Sequence, residues 1–328
     1  MSKRLSCSVV MTTFNGEEYI YEQLESLLNQ TRKIDEVLIF DDSSKDNTIS
    51  IINAFINDNK LNNYHLIINE SNKGWKRNFY DGMNLAKCDI VFPCDQDDIW
   101  MSDKIETMVS CFEQNQLIDV LVGKYEKYFV EKTGHENSSL WEKVGLFVDS
   151  VGNTFYKIKS QKQILTKREF NKSFLQLEPG CCFAIKKEFL NEIKDYWFDD
   201  LGHDAYATFF SELKGTYYNL NKVVIRWRHY AGSTSRPKGR SKNIRVNEIE
   251  RNEKVITAML EYIENHKEID DFDLKQHLLN EARMWNVSRK SFINNRNIIN
   301  GLLLIKYVKF YERYRAIFTD WIYAIMKG

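Results

Sequence analysis

Three carboxylates crowd the end of one apolar run. Cys88-Asp89-Ile90-Val91-Phe92-Pro93-Cys94 leads directly into Asp95-Gln96-Asp97-Asp98-Ile99-Trp100. Acids delivered by the end of a buried strand suit a hard cation, because magnesium and manganese take oxygen ligands and leave part of their shell to water and substrate phosphates. Asp95 and Asp97 are two residues apart, so in an extended segment their side chains point to one side and can share an ion. The same residues suit a solvated acidic loop capping a helix that begins near Ser102, and an Asp-x-Asp alone does not choose between the two.

The elements that must position these acids follow from hydrophobic spacing. Residues 5–13 read as a strand, Phe14-Asn15-Gly16 as a turn, and 17–30 as a helix with Ile20, Leu24, Leu27 and Leu28 at helical spacing. The alternation repeats with a strand over 36–40, Asp41-Asp42-Ser43-Ser44 and a helix from Asp46 to about Asn57. It repeats again with a strand over 65–68, Asn72-Lys73-Gly74 and a helix to about Ala86. Such alternation predicts an α/β fold with a mostly parallel, right-handed, doubly wound sheet flanked by helices. Ligands bind beyond the carboxyl ends of such strands. Thr12, Phe14 and Asn15, then Asp42, then Asn72, then Asp95 and Asp97 therefore fall along one sheet edge. Singly, each loop also fits ordinary turn and cap duty. No Gly-x-Gly-x-x-Gly or P-loop follows the first strand, which excludes a dinucleotide fingerprint and a Walker-type phosphate site.

Composition narrows the classes further. The chain has 328 residues, 43% of them hydrophobic, enough for one large domain or a main domain with an appendage. Its 46 basic and 46 acidic residues cancel, which removes the general electrostatic case for nucleic acid as a partner. The six cysteines lack Cys-x-x-Cys spacing and fit buried thiols of a reducing compartment. The apolar run after Lys3 and Arg4 is too short for a signal peptide, so a cytoplasmic location is expected, with the inner face of the cell membrane as a further possibility.

Four stretches carry a family resemblance: Val9-Val10-Met11-Thr12-Thr13-Phe14-Asn15-Gly16-Glu17-Glu18-Tyr19-Ile20, Asp41-Asp42-Ser43-Ser44-Lys45-Asp46-Asn47-Thr48, Asn72-Lys73-Gly74-Trp75-Lys76-Arg77-Asn78 and Asp95-Gln96-Asp97-Asp98-Ile99-Trp100. Together they resemble the successive signatures of glycosyltransferase family 2, the inverting enzymes of the GT-A fold. The form of the acidic motif, and a later Arg-x-His before a Ser/Thr-rich turn, are similar to bacterial rhamnosyltransferases of capsule and cell-wall polysaccharide assembly.

The resemblance implies a divalent-cation-dependent (Mn2+ or Mg2+) transferase. It would move a sugar, first of all L-rhamnose from dTDP-rhamnose, to a hydroxyl of a surface glycan or polyprenyl-linked acceptor. A UDP-hexose donor and a catalytically silent nucleotide-sugar-binding module are the alternatives. In this reading Asp42 accepts the N3 proton of a pyrimidine, Phe14 lies against the base and Thr12 lines the pocket. Asn15, Asn72 and Asn78 complete the nucleotide-sugar site. Asp95 faces ribose and diphosphate, Asp97 holds the metal with His229 as a second ligand, and Asp98 has no assigned role. Gly180, Cys181 and His203 belong to the acceptor side. Asp204 is the general base, with His203 standing where the family often has Glu. Asp204 also fits a helix N-cap for 205–213.

The remainder divides at about residue 243, with a catalytic domain over 1–243 and a helical region over 244–328. Between Arg226 and Arg245 seven Lys or Arg occur with no acid. That composition suits either a loop that orders over a diphosphate or a solvated linker. Helices are expected over 246–265 and 270–295, then one amphipathic, aromatic and basic helix over 298–326. Its apolar stripe suits a membrane interface, the catalytic domain or a second subunit in a homo-oligomer.

Overall fold

The computed structural model describes residues 4–129, 164–172, 174–230, 241–311 and 316–325. The stretch over 124–175, which in the sequence loses clear periodicity and mixes aromatics with charges as an insertion would, falls largely outside them, and so does most of the basic loop. The first half is a parallel sheet of β1 (Cys7–Thr13), β2 (Glu36–Asp41), β3 (Tyr64–Ile68) and β4 (Ile90–Asp95), in the order β3-β2-β1-β4. The strands are joined by α1 (Ile20–Leu28), α2 (Thr48–Asp58) and α3 (Trp75–Leu85). Every residue of β1 is buried, because a central strand covered on both faces needs an almost continuous apolar run.

Next come β5 (Ile99–Trp100), α4 (Lys104–Gln114), β6 (Val120–Phe129), β7 (Leu165–Lys167), β8 (Phe183–Lys186), α5 (Lys187–Ile193), α6 (His203–Lys214) and β9 (Tyr217–His229). The sheet continues β4-β8-β6-β9-β5, with β7 also on β9. β8 runs antiparallel to β4 and β6, and β5 and β7 antiparallel to β9, while the other strands share one direction. The result is a nine-stranded, mostly parallel mixed sheet flanked by helices. The apolar run Asp119-Val120-Leu121-Val122-Gly123 reads as a strand, and β6 carries it on to Phe129 through a register shift between Val122 and Lys124 where it pairs with β9.

The C-terminal region forms α7 (Lys242–Asn265), α8 (Phe272–Asn295), α9 (Ile298–Leu303) and α10 (Ala316–Ile325). Val255, Ile256, Met259, Tyr262 and Ile263 of α7 join the same apolar core as the sheet. Arg289 and Asp320, both fully buried, pair at 2.8 Å and tie α8 to α10. The single helix expected over 298–326 is not formed: α9 ends at Leu303 and a 3-10 turn spans Val308–Phe310. Trp285 of α8 takes the rings of Phe310 and Tyr311 at 5.6 and 5.1 Å, so tertiary packing sets the path of this segment. Among the described residues no helix is long and apolar enough to cross a membrane.

Candidate active site

Beyond the carboxyl ends of β1, β2 and β4 opens a cavity of about 730 Å3, ample for a nucleotide sugar. Thr12 stands beside Asp95 in the β1–β4 register, which brings both to the rim. Phe14, about half exposed, lines the mouth. Its N–H donates to Gln96 Oε1 at 2.8 Å, and Gln96 Nε2 donates to its carbonyl at 3.2 Å. Gln96 thus binds the first loop to the acidic turn. A β-carbon on Gly16 would fall 2.3 Å from Gln96 Oε1, so any larger residue there would push the Gln96 amide aside.

Asp42 is buried just past β2. Its Oδ1 accepts from Lys73 N at 2.8 Å and Asn69 Nδ2 at 3.0 Å, and its Oδ2 from Gly74 N at 2.8 Å. The carboxylate therefore pins the loop that carries Asn72, and Oδ2 keeps room for a further donor. Asn78, also buried, accepts from Asn69 Nδ2 at 2.6 Å. Its own Nδ2 has no hydrogen-bond partner among the described residues, and Asn78 lines the cavity. Asn15 takes no part in the cavity wall. With φ 47 it turns away, and its Oδ1 accepts from Lys45 N at 2.8 Å. Asp41 is scaffolding, since Thr13 and Ser44 hydroxyls donate to it at 2.8 and 2.6 Å.

The side-chain alternation expected past Asp95 does not hold, because β4 ends there and residues 96–97 turn. Asp95 instead faces Asp98, and their carboxylates and the Cys181 thiol have atoms within 4.8 Å of one another. Asp97 points to Tyr230, whose hydroxyl donates to its Oδ2 at 2.8 Å. Arg228, buried, holds this turn from β9: its N–H donates to Asp98 Oδ1 at 3.0 Å and its Nε to the Asp97 carbonyl at 2.7 Å. His229 lies against the rings of Phe129 (5.3 Å) and Trp227 (4.3 Å) and is not among the residues of the cavity wall.

Burial raises the pKa of all three acids, and repulsion from neighbouring carboxylates adds to it at Asp95 and Asp98. Desolvation leads for Asp95, with Asp98, Asp97 and Asp204 adding to it, and its pKa lies well above the carboxylate range. Asp98 is pushed up to about 7 by burial and then by Asp97. Burial also raises Asp97, against the Tyr230 hydrogen bond. Beneath them Lys104 is fully buried, donating to the Cys181 carbonyl at 2.6 Å with its ammonium 3.5 Å from the Trp100 ring centre. Asp98 Oδ2 is buried with no hydrogen-bond partner among the described residues. An oxygen-rich, underneutralised cluster of this kind fits a hard divalent cation. Cys181 fits such an ion less well, since Cys182 and burial push its thiol far above the range in which it ionises.

On the opposite wall, Gly180 and Cys181 form a 3-10 turn ahead of β8. His203 is buried against Phe79 at 4.0 Å and edge-on to Trp75 at 6.0 Å. Burial lowers its pKa, against the pull of Asp204, which keeps it neutral. α6 begins at His203 with Gly202 as its N-cap and no side-chain cap bond, so Asp204 is not the cap. It lies in the first turn, where its charge still complements the helix dipole, and its Oδ1 accepts from Ala205 N at 2.8 Å. Asp204 lines the same cavity as Asp42, Asp95 and Asp97. Trp75 and Trp227 also line it.

Comparison with known proteins adds the following. The model of glycosyl transferase family 2 matches residues 8–194. The dTDP-rhamnosyl transferase RfbG of Shigella flexneri is 32% identical over 194 residues, 57% of this chain and 57% of that protein, so the match spans little more than half of the relative's length. Among solved structures, S. aureus TarS 1-349 in complex with UDP-GlcNAc superposes with a TM-score of 0.59 at 19% identity, covering 98% of this chain and 82% of that one. Mannosyltransferase PcManGT from Pyrobaculum calidifontis, in complex with GDP-Man and Mn2+, gives 0.51 at 15%, covering 98% and 86%. At these identities the two structures speak for the fold alone.

Proposed function

The chain belongs to glycosyl transferase family 2, and from that membership we propose that it is an inverting transferase moving L-rhamnose from dTDP-rhamnose to a hydroxyl of a bacterial surface glycan or its lipid-linked precursor. One observation carries the reading: Asp42, Asp95, Asp97 and Asp204 line a single cavity, with Asp98 buried beside Asp95. Those are the carboxylates that a base, a diphosphate with its cation and an attacking hydroxyl would each call on. The rhamnosyl donor is supported by the relative from Shigella flexneri.

In the proposed mechanism Asp42 and Phe14 receive the pyrimidine, Asp42 offering an acceptor to its N3 proton. The Asn78 amide supplies a buried donor to the nucleotide sugar. Asp204 takes the proton of the acceptor hydroxyl as that oxygen attacks the anomeric carbon and the bond to the diphosphate breaks. Neutral His203 gives the first turn of α6 a rigid seat, and Trp75 limits water on that side. Asp97, with Asp95 and Asp98, would hold a Mn2+ or Mg2+ ion, which when bound offsets the charge growing on the departing diphosphate. Tyr230 and Arg228 hold the acidic turn in place.

The test is a thermal-shift panel of dTDP-rhamnose, UDP-GlcNAc, UDP-glucose and GDP-mannose with Mn2+, followed by transfer assays with the ligand that stabilises the protein. The proposal expects the largest shift from dTDP-rhamnose. A larger shift and turnover with a UDP sugar would move the donor assignment, and no shift from any nucleotide sugar would overturn the function.

A further inference from the structure

α9 and the turn after it expose large aliphatic side chains to a degree unusual for a globular surface. Ile298, Ile299, Leu302 and Ile305 are 65%, 71%, 56% and 62% exposed, and Leu303 adds 43%. Only Gly301 and Leu304 of this run turn inward, Gly301 against the Phe292 ring, where a β-carbon would meet it at 2.7 Å. The packing that anchors the segment is therefore separate from the side chains it displays.

The sequence around this patch is rich in cations, although acids from neighbouring segments, Glu281 beside Lys306 and Lys309 among them, meet some of these. From Ala282 to Tyr311 the chain carries six Lys or Arg and no Asp or Glu. Arg289, Lys290 and Lys309 are paired with Asp320, Glu250 and Glu281. Arg296 and Lys306, which bracket the aliphatic turn, are exposed and have no acid within ion-pair distance among the described residues. Aliphatic side chains flanked by cations match the boundary between acyl chains and anionic headgroups. A second copy of the chain is a poorer occupant, because a two-fold contact would set Lys306 and Arg296 against their own counterparts with no acid from this stretch to answer them.

We propose that the 298–306 segment is a docking surface for an anionic lipid bilayer, with Ile298, Ile299, Leu302 and Ile305 entering the acyl boundary and Arg296 and Lys306 meeting the headgroups. The surface is independent of the donor assignment, and its test uses no nucleotide sugar. The full chain is sedimented with vesicles of phosphatidylcholine alone, or of phosphatidylcholine with an equal share of phosphatidylglycerol, at low and high salt. The expected result is partition onto the anionic vesicles, weakened by salt. The triple variant Ile299→Asn, Leu302→Asn, Ile305→Asn should reduce it by at least about tenfold with an unchanged melting temperature. Lys306→Glu should reduce it less. No partition, equal partition onto both vesicle types, or equal partition of wild type and triple variant would overturn the proposal. Lipid-free self-association that the triple variant abolishes would also overturn it, by assigning the patch to a second copy.

Discussion

Gly180 lies so close to His203 that a β-carbon on it would fall 2.0 Å from the imidazole Nε2. The ring is itself held against Phe79, so it has little room to yield, and His203 is the first residue of the turn that carries Asp204. Gly180→Ala should therefore displace the first turn of α6. A displacement of about 1 Å at a catalytic group costs on the order of 100-fold in rate. Steady-state kinetics should show that fall in kcat with the donor KM little changed. A kcat equal to wild type would separate this contact from catalysis.

Asp204→Asn keeps the shape of the side chain and removes its basicity. A positioned general base contributes roughly 100- to 10,000-fold, so turnover should fall within that range while donor affinity, measured by calorimetry, stays within about twofold. Retained turnover would remove Asp204 from the role of base.

Four loops at one sheet edge were legible in the sequence because each follows a strand whose apolar run is unmistakable, and strand direction then places every following loop on the same side. The partners that hold those loops were not. Tyr230 and Arg228 reach the acidic turn from β9, more than a hundred residues away in sequence, through a strand pairing that local pattern does not encode. Lys104, at the start of α4, is buried and bonded to the Cys181 carbonyl, a placement that no local pattern signals. Asp204 looked like a cap because Asp often is one, but Gly202 takes that position. The 298–326 stripe suggested one helix, and packing onto Trp285 broke it in two.

Asp42 is engaged by three donors from the 69–74 loop, so its replacement should affect more than base recognition. In Asp42→Asn an amide N–H would face a backbone N–H. The lost acceptor and the unsatisfied donor should cost about 1–3 kcal/mol of stability. Denaturant melts should show this loss together with weaker nucleotide binding. Weaker binding at unchanged stability would mean that the loop does not depend on this carboxylate.

The neutral His203 gives the fold a defined pH response. Its pKa in the folded protein is held by burial below the ordinary 6.5, whereas the unfolded chain takes up a proton near that value. Below about pH 6.5 the unfolded state therefore binds more protons, and stability falls with acidification until the folded-state pKa is passed, by at most about 1.4 kcal/mol per pH unit. Urea melts at pH 7.5 and 5.5 should show His203→Asn losing less stability than wild type over this interval. Equal losses would place the titration elsewhere.

Tyr230 donates to the same Asp97 carboxylate that is proposed to hold the cation, and so fixes its orientation through one oxygen. Groups that orient a metal ligand in this way typically account for about 10- to 100-fold in metal affinity. Tyr230→Phe should raise the Mn2+ concentration for half-maximal transfer by about tenfold. At saturating Mn2+ the rate should return toward wild type, since no group that touches the reacting atoms has been removed. Adding a chelator to wild type should abolish donor binding if Asp97 acts through the ion. A Mn2+ dependence unchanged in the Tyr230 variant, or donor binding insensitive to chelator, would show that Asp97 serves the fold of the acidic turn and not a cation.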